Sequence, residues 1–311
     1  MSVRTLGRLL SLVILLAFWT TATTGQDKKA VEPKKPVVPY TTAHAAPLEP
    51  KEEAKDDDDN YKRLRVEFNG IKKDRVPAYL WLPKRNQQTF PAVLLQYGIG
   101  GNKNTDYIVA IGKQFTERGF VVLTIDAPGV GERRPKEGKK QNAIIDMILG
   151  GDTVPQYCGD YSRAVDYLLT RKDVDKDRVG FVGISWGAIT GVTYVAHDDR
   201  IKAMGCMVGG GNFLNLYNAK TAEKVKTEGS KSTDPVYHVA RIAPRPLLFV
   251  NVTKDQLVMK PWAESLHKYA GPGAKVVWHE TDHYFKGVDR AKICESVIDF
   301  MEAGLKVKSA K

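Results

Sequence analysis

A serine between small residues is the feature of this sequence best suited to chemistry: Ser185 lies in Gly183-Ile184-Ser185-Trp186-Gly187. A strand-like run precedes it at 178–182, and a small-residue helix start follows at 187–191. A serine on a sharp strand-to-helix turn needs small neighbours because the backbone is crowded there, and the turn lifts its hydroxyl out of the sheet. The helix N-terminus stabilises nearby negative charge. The pattern predicts a nucleophile; the alternative is a tight structural turn whose serine only caps the helix.

A nucleophilic serine needs a base, and the base needs an acid that orients it. Asp255 follows the buried strand-like run 246–252, and His283 follows the last strand-like run, 275–278. The order serine, acid, histidine along the chain is one in which such triads occur. His279 is the competing base, but it lies at a strand end. Asp282 is a poor acid for His283 because adjacent side chains diverge.

The oxyanion formed during acyl transfer needs backbone donors, and the Gly-rich stretch 96–102 can supply one. The amide of Ile99, or of a neighbouring residue, is the expected first donor, and the amide of Trp186 is the second. Lys103 and Thr105 follow this loop, but the spacing does not fit the phosphate-binding pattern G-x-x-x-x-G-K-[ST]. We therefore do not expect a nucleotide triphosphatase.

Four other residues are candidates for supporting roles. Asp126 ends a strand, but it precedes Ser185, so we interpret it as a structural acid that accepts hydrogen bonds from nearby loop amides. Tyr97, Trp262 and Tyr284 are candidates for the substrate pocket, although aromatic residues near helices more often belong to the core. No metal ligands and no cofactor are expected.

The elements around these residues predict one doubly wound α/β domain with a mainly parallel sheet of about eight strands. Two alternating stretches at 64–68 and 76–82 form an N-terminal antiparallel pair. Continuous apolar runs, which suit strands buried on both faces, then recur at 92–96, 120–125, 179–183, 201–208, 246–252 and 275–278. Helix-length segments lie between or after them at 107–118, 162–170, 262–269 and 291–303.

Two segments interrupt this alternation, at 132–157 and 212–239. Both follow strand ends on the side where an open parallel sheet binds its ligands. We expect them to form the walls or lid of a pocket.

The N-terminus has the pattern of a secretory signal over residues 1–25. Arg4 and Arg8 precede an apolar run, 9–19, and a small-residue stretch, 20–25. A helix needs about 20 apolar residues to span a bilayer, and this run is shorter. An uncleaved N-terminal anchor is the alternative. Residues 26–60 are rich in Pro, Lys and Asp and lack an apolar period, so we expect a disordered linker. The catalytic domain is predicted at 61–311, and the protein is expected to be exported, either periplasmic or secreted, without stable membrane insertion after signal cleavage.

Composition argues against a nucleic-acid-binding protein and leaves the pairing of the cysteines open. The chain has 311 residues, 42% hydrophobic and 27% charged, with a net charge of +11. Its basic residues are spread along the chain and are densest in loops and tails, so we do not expect nucleic-acid binding. Cys158, Cys206 and Cys294 are an odd number, which leaves at least one thiol free or paired between chains. The oligomeric state stays open.

Several segments together resemble the exported branch of the α/β-hydrolase superfamily that includes dienelactone-hydrolase-like and acetyl-xylan-esterase-like proteins. They are also similar to the catalytic domain of prolyl oligopeptidases. The resemblance spans about 61–305 and is carried by residues 125–133, 160–168, 173–180, 183–187 and 243–248, with Asp255 and His283. Two departures matter: dienelactone hydrolases carry a cysteine nucleophile where this chain has Ser185, and many relatives have His-Gly where it has Tyr97-Gly98.

The resemblance and the three residues together imply a serine carboxylesterase acting on small-molecule or polysaccharide esters, such as acylated carbohydrate. An oligopeptidase-like serine peptidase is the first alternative. It is less favoured because no propeller is expected before the domain, and that resemblance would require such a gate. A non-catalytic binding protein with the same fold is the second alternative, and the complete, ordered set Ser185, Asp255 and His283 argues against it.

Overall fold

Nine strands form a single sheet in a computed structural model that describes residues 46–72, 74–135, 151–213 and 233–307. The strands are β1 Lys51–Asp57, β2 Tyr61–Asn69, β3 Arg75–Pro83, β4 Phe90–Gln96, β5 Val121–Ile125, β6 Val174–Ile184, β7 Ile201–Met207, β8 Leu247–Val252 and β9 Lys275–His279. The helices are α1 Asp106–Glu117, α2 Thr153–Thr170, α3 Trp186–Val195, α4 Lys260–Tyr269 and α5 Arg290–Gly304. Short 3₁₀ helices cover Gly131–Arg133, Pro235–Tyr237 and Val239–Ile242.

The order of strands across the sheet is β1-β2-β3-β5-β4-β6-β7-β8-β9. The first three strands and the β3–β5 pair are antiparallel, and the six strands from β5 to β9 are parallel to their neighbours. Every residue of β4, β5 and β8 is buried, as expected for strands covered on both faces. In β2 only alternate residues are buried, as in a strand with one covered face. The predicted α/β-hydrolase fold is thus confirmed, with nine strands in place of about eight.

Helices cover both faces of the sheet, and neighbouring residues of β6 show how. Gly180 faces α5, where an added Cβ would lie 2.3 Å from the Met301 side chain. Phe181 points to the opposite face, where its ring packs against Tyr161 of α2 at 5.4 Å and against Gly191 of α3. All described residues lie within one compact unit, residues 33–311.

Strand β1 corrects the predicted domain boundary at Tyr61, because residues 51–57 pair with β2 instead of belonging to a disordered linker. Its side chains are almost all exposed, so it has no apolar alternation from which a strand could be predicted. Backbone hydrogen bonds and ion pairs hold it at the sheet edge, among them Arg63 with Asp56 and Arg171 with Glu52. Charged side chains on an edge strand also discourage pairing with other chains. The predicted signal peptide and residues 26–45 of the linker lie outside the described residues.

The three cysteines are free thiols, and all three are buried. No disulfide therefore stabilises the domain. Burial raises the pKa of Cys206 to about 12 and that of Cys294 to about 12, so both stay protonated at neutral pH. Of the helices within the described ranges, none is long and apolar enough to cross a membrane.

Candidate active site

Ser185 occupies the turn between β6 and α3. Its backbone has φ 54° and ψ −114°, a conformation that is costly for a residue with a side chain and is therefore kept only where the surroundings enforce it. The Ser185 amide donates to the Met207 carbonyl at 2.8 Å, and the Ser185 carbonyl accepts from the Ala188 and Ile189 amides at 2.9 Å each. The turn is thus held on both sides, by β7 and by the first turn of α3.

The glycines flanking Ser185 are required by backbone contacts. A Cβ on Gly183 would lie 2.3 Å from the Gly187 carbonyl oxygen. A Cβ on Gly187 would lie 2.7 Å from the carbonyl oxygens of both Gln96 and Tyr97. Backbone atoms cannot rotate away as a flexible side chain can. The G-x-S-x-G spacing is therefore explained by close approach of β6, α3 and the loop after β4.

Asp255 and His283 follow neighbouring parallel strands and reach Ser185 from one side. Register pairs Asn251 with Trp278 and Val252 with His279, so the loops after β8 and β9 emerge together. His283 Nε2 lies 3.0 Å from Ser185 Oγ, and His283 Nδ1 lies 2.7 Å from Asp255 Oδ2. Since an ionised carboxylate only accepts, Nδ1 carries the proton and Nε2 is free to accept from the serine hydroxyl.

Asp255 is fixed from behind by backbone donors. Its Oδ1 accepts from the amides of Leu257 and Val258, each at 2.8 Å, while Oδ2 faces His283. The Asp255 side chain is 3% exposed and that of His283 is 8% exposed. The three side chains form one hydrogen-bonded chain shielded from solvent. Such a chain can activate the serine hydroxyl as a nucleophile.

The two competing residues are placed elsewhere. His279 ends β9, where its carbonyl accepts from the Thr253 and Thr281 amides and its ring contacts Phe285. The Oδ1 of Asp282 accepts from the amides of Tyr284 and Lys286 at 3.0 Å each, which closes the turn that carries His283. Neither residue has a described contact with Ser185.

The loop after β4 lies directly against the nucleophile: an added Cβ on Gly98 would be 3.2 Å from Ser185 Cβ. The Gly98 amide donates to the Tyr107 hydroxyl at 2.8 Å. No described residue accepts a hydrogen bond from the amides of Ile99 or Trp186, and Trp186 is the first residue of α3. These two amides are therefore free to donate to an oxygen of a bound substrate.

Tyr97 does not face the site as the sequence suggested. It is 4% exposed, and its hydroxyl accepts from the Ala127 amide at 2.7 Å. Burial raises its pKa well above the ordinary value, because the phenolate would be desolvated, although the bond from Ala127 acts in the opposite direction. The side chain fastens the loop after β4 to the loop after β5.

Lys103 is a buried ammonium at the end of the same loop, and sequence reasoning missed its role. It is 4% exposed, and its Nζ lies 2.6 Å from Asp126 Oδ2 and 2.5 Å from Glu132 Oε1. Asp126 also accepts from the amides of Lys103 at 3.1 Å and Glu132 at 2.8 Å, which agrees with its predicted structural role. Gly131 leaves room for this carboxylate, because a Cβ there would lie 2.2 Å from Asp126 Oδ2.

The other two pocket candidates differ in position. Tyr284 is 67% exposed, and its ring meets that of His283 edge to face at 5.6 Å between centroids. Trp262 lies on α4 and packs edge to face against Phe213 at 5.2 Å, with no described contact to the triad residues. Of the two interrupting segments, 136–150 and 214–232 lie outside the described residues. Within the described ranges, no three His, Cys, Asp or Glu side chains are grouped to hold a metal ion.

Comparison with known proteins agrees with this architecture. A family model described as "alpha/beta hydrolase fold" matches residues 91–229. The chain is 29% identical over 262 residues to "Putative hydrolase YtaP" of Bacillus subtilis (strain 168), which covers 73% of this chain and 83% of that protein.

Two solved structures share the fold at low sequence identity. An acetyl xylan esterase from Paenibacillus sp. R4 superposes with a TM-score of 0.70 at 17% identity, covering 87% of this chain and 97% of that one. A "Putative Dienelactone Hydrolase" from Klebsiella pneumoniae superposes with a TM-score of 0.59 at 18% identity, covering 79% of this chain and 99% of that one. The matched family model and the shared topology show that this chain has the α/β-hydrolase fold.

Proposed function

We propose that the protein is a serine esterase that hydrolyses carboxylic esters through an acyl-enzyme on Ser185. The observation that carries this proposal is the hydrogen-bonded chain from Ser185 Oγ through His283 to Asp255, at 3.0 and 2.7 Å. The strained turn supports it as well, because φ 54° at Ser185 is a cost that a purely structural turn does not require.

In the acylation step, His283 Nε2 takes the proton of the Ser185 hydroxyl as the oxygen attacks the ester carbonyl carbon. The amides of Ile99 and Trp186 donate to the oxygen that becomes negative. When the tetrahedral intermediate collapses, the bond to the alcohol oxygen breaks and His283 returns its proton to that oxygen. Water then attacks the acyl-enzyme with His283 again as base, releasing the acid and restoring the serine.

Asp255 acts on His283 and does not touch the substrate. Its carboxylate keeps the proton on Nδ1 and stabilises the imidazolium formed in each step. The two amide bonds to Oδ1 leave Oδ2 aimed at His283. The sequence predictions of a small ester or acylated carbohydrate as substrate, and of export across a membrane, remain part of this proposal. The acetyl xylan esterase among the superposed structures supports the first of these.

Labelling with a fluorophosphonate probe tests the proposal. We expect wild-type protein to form a covalent adduct on Ser185 and to hydrolyse short acyl esters. Ser185→Ala should lose the adduct and at least ~10⁴-fold in kcat. Ser296→Ala is a matched control, since its hydroxyl donates only to the Ile293 carbonyl of its own helix, and it should behave as wild type.

Absence of an adduct on the wild type would refute the serine-hydrolase mechanism and favour a non-catalytic binding protein. Faster cleavage of peptide p-nitroanilides than of any ester would instead assign the same triad to a peptidase. A folded Ser185→Ala variant, checked by its thermal unfolding, is needed for either comparison.

A further inference from the structure

Exposed apolar side chains gather around the candidate active site. Among the described residues, six large apolar side chains are exposed, and two of them, Val276 and Val277, lie on edge strand β9. The other four border the triad: Ile99, Tyr107, Leu257 and Tyr284. Ile99 and Tyr107 adjoin Gly98, the Leu257 amide bonds Asp255, and Tyr284 contacts His283. Clustered exposed apolar groups usually mark a binding surface.

Tyr284 is the most exposed of the four, at 67%, yet its backbone is fixed. Its amide donates to Asp282 Oδ1 at 3.0 Å. The next residue, Phe285, is 9% exposed, has φ 55° and packs against the His279 ring. The turn thus buries one aromatic ring as an anchor and holds the neighbouring ring out beside His283.

The position of Tyr284 selects one side of the ester. His283 Nε2 must protonate the oxygen of the departing alcohol, so the alcohol moiety lies on the His283 side of the reacting carbon. The carbonyl oxygen instead faces the Ile99 and Trp186 amides. The Tyr284 ring is in edge-to-face contact with His283 at 5.6 Å. It is therefore adjacent to the alcohol part of a bound ester.

The chemistry of this side is apolar. Both carboxylate oxygens of Asp255 are engaged, Oδ1 by two loop amides and Oδ2 by His283, and Oδ1 of Asp282 accepts from two loop amides. Leu257, 44% exposed, extends the apolar surface next to Asp255. Resting on the proposed esterase function, we propose that Tyr284 is a specificity-determining residue that binds the alcohol moiety and favours esters of bulky apolar alcohols, aromatic ones above all.

Two isomeric esters separate the alcohol side from the acyl side. Benzyl acetate carries its ring on the alcohol, and methyl phenylacetate carries it on the acid. Tyr284→Ala should lower kcat/KM for benzyl acetate about tenfold, since roughly half of an aromatic side chain's burial is lost. For methyl phenylacetate the same variant should stay within about twofold of wild type. Tyr284→Phe should keep the benzyl preference, because the ring and not the hydroxyl makes the contact. Val277→Ala is the matched control: it removes an exposed apolar side chain on β9 and should leave kcat/KM for both esters unchanged.

Equal losses on both isomers would overturn the proposal, because Tyr284 would then act through His283 on every substrate. No loss on either isomer would overturn it too, as would faster wild-type turnover of an acetylated xylo-oligosaccharide than of benzyl acetate. In these outcomes the wild type still labels at Ser185 and hydrolyses esters, so the proposed function stands. A wild type that neither labels nor hydrolyses any ester would refute the proposed function, and this proposal with it.

Discussion

The buried pair of Lys103 and Asp126 offers a quantitative test of how the proposed oxyanion loop, residues 97–103, is held. The two charged groups are 2.6 Å apart, with side-chain exposures of 4% and 0%. Lys103 ends the loop that carries Ile99, and Asp126 begins the loop after β5. Removing one charge leaves the other buried without its partner. Removing both leaves no unpaired charge between these two positions.

The expected magnitudes follow from this burial. Breaking a buried pair by removing one partner typically costs 3–5 kcal/mol of stability, about 3 in the more favourable cases. We expect Asp126→Asn to cost about 3 kcal/mol, because Glu132 still pairs with Lys103 at 2.5 Å. Lys103→Met should cost about the same, because the carboxylate keeps two amide donors. The double variant should cost clearly less than the two single losses together, with a coupling energy of about 2 kcal/mol.

Urea unfolding of the wild type, both single variants and the double variant closes the cycle, provided that the urea dependence is the same in all four. Ester hydrolysis is measured in parallel, and kcat should fall in each single variant because the loop amide is less well placed. Additive losses of stability would refute the inferred coupling. Unchanged kcat in variants that have lost about 3 kcal/mol would show that the loop position does not depend on the pair.

Two further predictions concern other polar side chains. Tyr107→Phe removes the acceptor of the Gly98 amide and should lower kcat about tenfold with little change in KM. Tyr97→Phe removes the acceptor of the Ala127 amide, which lies away from Ser185, and should lower stability more than kcat. Steady-state kinetics of both variants checks this, and equal kcat for Tyr107→Phe and wild type would contradict it. His267 is the second case: burial lowers its pKa from 6.5 to about 4, with Glu264 opposing the shift. The His267 ring of the unfolded chain binds a proton below about pH 6.5, whereas the folded protein does not bind it until the pH falls to about 4. The free energy of unfolding should therefore fall as the pH drops through this window, by about 1 kcal/mol near pH 5 for a partly buried ring. Urea unfolding of wild type and His267→Gln at both ends of the window measures this loss, and an identical pH dependence in the two proteins would contradict the assignment.

The parts of the fold that sequence predicted well are those that depend on local patterns. Strands β4, β5 and β8 are continuous buried runs, and such runs identify buried parallel strands without knowledge of their neighbours. Ser185 and Asp255 follow the buried ends of β6 and β8, whereas His283 follows β9, an edge strand whose residues are exposed or half-buried. All three residues follow parallel strands, whose carboxyl ends share one edge of the sheet. Their convergence was therefore predictable, and the structure brings the three side chains within hydrogen-bonding distance.

The parts that sequence did not predict depend on contacts between distant residues. Strand β1 has no apolar period, and only its pairing with β2 and the salt bridges to Arg63 and Arg171 reveal it as a strand. Lys103 followed a Gly-rich loop and resembled a phosphate ligand, whereas its partner Asp126 lies 23 residues further on. Tyr97 was placed in the pocket because it neighbours the loop, but its side-chain direction depends on Ala127.

These long-range contacts have a common consequence for the oxyanion loop. Preorganised catalysis needs a rigid loop, yet the amide that serves the substrate must have no partner of its own. The structure meets both requirements by fastening four amides of the loop: that of Gly98 to Tyr107, that of Gly101 to the Gly98 carbonyl, that of Asn102 to Thr105, and that of Lys103 to Asp126. No described residue accepts from the amides of Ile99 and Gly100. The glycines made this loop visible in the sequence, but the acceptor side chains of Tyr107, Thr105 and Asp126 decide which of its amides stay free.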